Sequence, residues 1–114
     1  MTWLLSVWFA CAPAPASTWR ACPPDTGPSR EACLARTLPD RFCEDPADAA
    51  AMVDREIRDH ATRDLLWLTV VNEVAPRAEW CARIRDPGVA AHCQDVLARP
   101  HLRRGTMTRC GAAR

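Results

Sequence analysis

Seven cysteines, Cys11, Cys22, Cys33, Cys43, Cys81, Cys93 and Cys110, have the widest chemical range of any residues in this 114-residue chain. Thiols bind metals, cycle between redox states or cross-link, and their spacing separates these uses. No two of them are two to four residues apart, so zinc-knuckle spacing is absent, and so is the C-x-x-C of redox and haem sites. Cys81, Cys93 and Cys110 can be drawn with His92 and His101 as a ligand set, but the spacing follows no metal pattern. The reading is therefore cross-linking, with no metal or other cofactor expected.

The other reactive groups give weaker signals. His60 has Glu56 four residues before it and Asp64 four after, an arrangement that could move protons. A solvated charged helix face accounts for the same residues more simply. Serine occurs only as Ser6, Ser17 and Ser29, outside any nucleophile motif, and no glycine-rich phosphate loop is present. A non-enzymatic protein is expected. The net charge of +1 argues against a nucleic-acid partner. After Asp95 the chain has no acid but carries Arg99, Arg103, Arg104, Arg109 and Arg114. Positive charge there complements a helix end, or meets an anionic envelope surface weakly. The abundance of Arg with no Lys, no Tyr and one Asn is the mark of a GC-rich genome.

The elements that would position these groups have little to fill a core with. Hydrophobic residues make up 48% of the chain, but 20 of them are Ala and 7 are Cys. Seven of the large apolar side chains fall within the first nine residues. A domain this small with so thin a core usually needs a covalent or metal staple. No β alternation is visible, and the pattern predicts one small all-α domain. Gly27-Pro28 opens a helix expected to run to about Leu38, where Pro39 breaks it. Asp45-Pro46 caps a long central helix expected to reach Val74, with a break near His60–Asp64 as an option. Val53, Ile57, Ala61, Leu65 and Leu68 form its apolar stripe. Asp54–Arg58, Arg55–Asp59 and Asp59–Arg63 are its i,i+4 pairs, each worth ~0.2–0.5 kcal/mol. Residues 77–85 and a helix opened by Asp86-Pro87 and closed by Pro100 form a short hairpin. Trp67 and Trp80 are expected in the core, and Trp19 as a lid over it or an exposed anchor.

The first ten residues, MTWLLSVWFA, are apolar but about half the length that spans a bilayer. They fit the hydrophobic region of an export signal. With Ala10 before Cys11 and APAPAST after it, residues 1–18 resemble a bacterial lipoprotein signal. That resemblance implies cleavage before Cys11, lipidation of Cys11 and attachment to a membrane. The alternatives are a secretory signal cut after Ala16, following the small-x-small Ala14-Pro15-Ala16, and an uncleaved apolar N-terminus. The expected organisation is a signal over 1–10, a Pro-rich tether over 11–28, a helical Cys-rich domain over 29–104 and a basic tail over 105–114.

Either cleaved reading removes Cys11 and leaves six cysteines, an even number suited to an oxidising compartment. Six allow 15 pairings. Symmetry about Asp86-Pro87-Gly88 favours Cys81–Cys93, and symmetry about Leu38-Pro39 favours Cys33–Cys43, leaving Cys22–Cys110. The long loop is worth ~4 kcal/mol and the short ones ~2–3 each on chain-entropy grounds. Cys33 and Cys43 have nine residues between them, as in helix-hairpin proteins of the mitochondrial intermembrane space. The second pair here has eleven between and the pairs lie far apart, so that family is set aside. The functional expectation is an exported envelope module, periplasmic, outer-membrane-anchored or extracellular, with an unknown protein partner and membrane contact through the lipid. The rival readings are a periplasmic Cys/His metal or thiol protein, and a weak binder of anionic surfaces through the Arg tail.

Overall fold

A computed structural model describes residues 19–102 and Cys110. The expected signal, residues 11–18 of the tether with Cys11, residues 103–104 of the expected domain and the basic tail apart from Cys110 lie outside the described residues. Among the described residues there are five α-helices and no strand. They are α1 (Pro28–Glu44), α2 (Pro46–Glu56), α3 (His60–Glu73), α4 (Ala78–Cys81) and α5 (Pro87–Ala98), flanked by 3-10 turns at Trp19–Ala21 and Pro100–Leu102.

Gly27 leads into α1 at φ 147°, a conformation L side chains rarely adopt, and Pro28 supplies the first helical residue. The expected stop at Pro39 does not occur; α1 continues to Glu44. An interior proline costs about 3 kcal/mol through its missing N–H and its ring clash. Against that, Leu34, Leu38 and Phe42 form one buried stripe, and the Pro39 ring is buried as well. Each large side chain so buried contributes about 1.5–3 kcal/mol, so packing decides the outcome.

The long central helix is divided. Asp45 caps α2, accepting from the backbone N–H of Asp48 at 3.1 Å. After Glu56 the chain turns extended at Ile57 (φ −108°, ψ 111°), whose side chain is fully buried. Asp59 then caps α3, accepting from the Thr62 N–H at 2.9 Å and its hydroxyl at 2.8 Å. The backbone groups freed at the break are taken up by side chains. Glu31 Oε1 of α1 accepts from the N–H groups of Arg58 (3.2 Å) and Asp59 (3.0 Å). Arg63 Nε donates to the Ile57 carbonyl at 3.1 Å.

This break overturns the three expected i,i+4 pairs: Asp54 and Arg58, and Arg55 and Asp59, no longer share one helix, while Asp59 and Arg63, cap and residue of α3, turn to other partners. Asp54 instead meets Arg83 at 3.3 Å, Asp59 is a cap, and Arg63 holds backbone. It also rotates α3. The stripe expected through Ala61 and Leu65 faces solvent, with Leu65 57% exposed. The inward face is Asp64, Leu66, Trp67, Val70 and Val71.

All five α-helices contribute to one continuous core. At its centre Trp67 and Trp80 stack with centroids 5.5 Å apart, and Phe42 meets both edge-on at 5.6 and 5.3 Å. Three disulfides staple the domain: Cys22–Cys33, Cys43–Cys110 and Cys81–Cys93. Cys81–Cys93 closes the turn at Asp86-Pro87-Gly88. The expected Cys33–Cys43 and Cys22–Cys110 pairs are replaced, and the continuous α1 is the reason. Ten residues along a helix place Cys33 and Cys43 about 15 Å apart, far beyond the ~4–7 Å between Cα atoms that a disulfide spans. Cys33 instead reaches back to Cys22, with Cα atoms 5.6 Å apart, and Cys43 takes Cys110 at 5.5 Å.

Candidate functional site

Besides the α2–α3 break, polar groups gather in two further places among the described residues. The first is an open groove of about 470 Å³ between α2 and the α4 region. Ala47, Ala50 and Ala51 of α2 form its small-residue wall, and Trp80 lies opposite. Two ion pairs border it, Arg83–Asp54 at 3.3 Å and Arg77–Glu79 at 3.3 Å. The Arg83 guanidinium also sits 5.0 Å from the Trp67 ring centre and 5.7 Å from that of Trp80, with Arg77 5.6 Å from Trp80. The indole N–H groups of Trp67 and Trp80 are buried without a hydrogen-bond partner. The groove lining holds no Ser, His or Cys. Its cations are balanced by carboxylates, Arg83 by Asp54 and Arg77 by Glu79.

The second is the junction of α3 with the turn before α5. Asp64, only 3% exposed, accepts from the Arg85 N–H through one oxygen and from the Asp86 N–H through the other, both at 3.0 Å. Asp86 in turn caps α5 by accepting from the Val89 N–H at 3.0 Å. A guanidinium nitrogen of Arg85 lies 2.8 Å from Nε2 of exposed His60. The carboxylate here is an anchor for backbone, and both of its oxygens are engaged.

The residues singled out by sequence separate. Glu56 belongs to α2 and meets Arg30 at 3.1 Å and Arg55 at 3.4 Å. Those partners, the Arg30 hydrogen bond first, hold its carboxyl below the usual glutamate range. Asp64 is spent on the α5 turn, and His60 faces Arg85. The three do not assemble a proton-transfer group: the break at residues 57–59 leaves Glu56 on α2, and on α3 the Asp64 oxygens take backbone N–H groups while His60 meets Arg85. The drawn metal set does not assemble either. Cys81 and Cys93 bond each other, Cys110 bonds Cys43, and His92 and His101 are exposed.

Trp67 and Trp80 are in the core at 0% and 4% exposure. Trp19 packs against the core while partly exposed, with Arg20 4.7 Å over its ring, as a lid would. Sequence reasoning missed the tasks of Glu31, Asp64 and Arg83. The only signal for Glu31 and Asp64 was a carboxylate on an otherwise inward helical face, and for Arg83 none was present. Among the described residues no helix is long and apolar enough to cross a membrane. No family model, curated protein or solved structure matches this chain.

Proposed function

We propose that the chain is an exported, non-enzymatic module of a bacterial cell envelope, held at the membrane by a lipid on Cys11 and acting as a structural or interaction unit. The observation that carries this reading is the pairing of all six cysteines from Cys22 onward with one another. Three bridges in so small a domain fit an oxidising compartment. They leave Cys11, the cysteine at the lipoprotein-like junction of residues 10 and 11, as the odd one. The described groups favour contact over catalysis: carboxylates cap backbone, and the groove is bordered by balanced charge. An unidentified protein partner is the natural occupant for such a surface, with the membrane as the second.

The test is the intact mass of the mature protein, recovered from the envelope fraction of a bacterium expressing the full chain. The expected product begins at Cys11, carries acyl groups, and gains six hydrogens on reduction. Cys11→Ser moves the protein out of the membrane fraction. A product beginning at Ser17 replaces the anchor with simple secretion. A full-length product in the cytosol with free thiols overturns the proposal.

A further inference from the structure

The three bridges differ in how far they are shielded. Cys81 and Cys93 are 2% and 0% exposed, and Cys22 is 6% exposed with Cys33 partly exposed. In Cys43–Cys110 both residues are partly exposed. This bond also sits at the edge of the fold. Cys43 is the penultimate residue of α1, beyond the buried stripe that ends at Phe42, and both cysteines pack on the core from its rim.

We infer that Cys43–Cys110 is a thiol-exchange site, opened by the thiolate of a reducing thiol while the other two bridges stay closed. An external thiolate RS⁻ attacks Sγ of Cys43 in line with the S–S bond. An RS–S bond to Cys43 forms, the Cys43–Cys110 bond breaks, and its electron pair leaves on Cys110 as thiolate. A second thiolate attacks the sulfur of the bound RS group. It releases RSSR and leaves Cys43 as a thiolate that takes its proton from water. Two thiols are oxidised and one disulfide is reduced. Two charges favour Cys110 over Cys43 as the leaving sulfur. Arg109 adjoins it in sequence, whereas Cys43 lies at the negative end of α1 beside Glu44.

The domain does not depend on this bond for its shape. Cys22–Cys33 ties the N-terminal turn to α1, and Cys81–Cys93 ties α4 to α5. α1 and α3 meet through Leu34, Leu38, Phe42 and Trp67 in one buried cluster. Opening Cys43–Cys110 therefore removes the covalent link between α1 and the C-terminal segment, residues 103–114, which carries four Arg and no acid. The exchange links the redox state of the surroundings to that basic segment.

The experiment uses the oxidised full-length protein, treated with dithiothreitol or reduced glutathione, quenched with N-ethylmaleimide at intervals and mapped by peptide mass. Cys43 and Cys110 are expected to take up label at least about tenfold faster than Cys81 and Cys93, with Cys22 and Cys33 between. With glutathione, the transient adduct is expected on Cys43. The double variant Cys43→Ser/Cys110→Ser is expected to lose the fast phase and keep the helical circular-dichroism signal at room temperature. Simultaneous labelling of all six cysteines, earlier labelling of Cys81 and Cys93, or loss of helix in the double variant overturns the proposal.

Discussion

At the scale of single residues, the carboxylates of Glu31, Asp45, Asp59, Asp64 and Asp86 accept from backbone N–H groups that would otherwise go unpaired. Asp64 is the most buried of them and serves two N–H groups at once. Asp64→Ala leaves both without a partner and is expected to cost about 2 kcal/mol. Asp64→Asn, which keeps one acceptor oxygen, costs less. Urea unfolding of the two variants measures both. The acid response belongs to Glu56 and Asp59. The Arg30 hydrogen bond first, then Arg55, hold Glu56 low; the Thr62 hydroxyl and then its N–H hold Asp59 low. A carboxyl lowered in the folded state is more readily protonated in the unfolded chain. Its stabilisation is complete above the ordinary carboxyl range near pH 4 and is lost as the pH falls through the lower folded-state value. The melting-temperature advantage of the wild type over Glu56→Gln is therefore expected to shrink as the pH drops from about 6 to about 3. An advantage that grows on acidification contradicts this account.

At the scale of elements, the junction of α2 and α3 decides the layout. Glu31→Ala removes the acceptor for the Arg58 and Asp59 N–H groups and is expected to cost about 1 kcal/mol. Amide exchange at those two positions should accelerate, with partial rescue by Glu31→Gln. Asp59→Ala is expected to cost about 1 kcal/mol through the lost cap, measured by the same unfolding curves. The starts of α1, α2 and α5 were legible because each is a local signal: Gly27-Pro28, Asp45-Pro46 and Asp86-Pro87. The end of α1 and the break after α2 were not. Pro39 reads as a stop unless it is known that its ring is buried along with Leu34, Leu38 and Phe42 in the turns around it. Ile57 reads as one more residue of a stripe unless it is known that Glu31, 27 residues away from Arg58, offers the backbone another partner. Both depend on contacts between elements, which a local pattern does not carry.

At the scale of the whole molecule, the class was legible and the connectivity only in part. Helical periodicity and cysteine parity gave an all-α, sulfur-stapled domain. The pairing of Cys81 with Cys93 followed from a turn between them, whereas the other two pairs hung on whether α1 survived Pro39. The candidate site was the least legible: Glu56 falls on another helix, and Asp64, still four residues from His60 on α3, is taken up by backbone N–H groups of a turn distant in sequence. The loops closed by the bridges span 11, 12 and 67 residues. The two short loops are worth about 3 kcal/mol each and the long one about 4, against roughly 5–15 kcal/mol for the whole stability of a domain. The most direct check is the thermal melt of the metal-free full chain by far-ultraviolet circular dichroism, oxidised and in excess reductant. Sulfur bonds that hold a thin core predict a cooperative melt for the oxidised form and a midpoint at least about 20 °C lower, or no cooperative transition, for the reduced form. A reduced chain that melts cooperatively within about 5 °C of the oxidised one would contradict it.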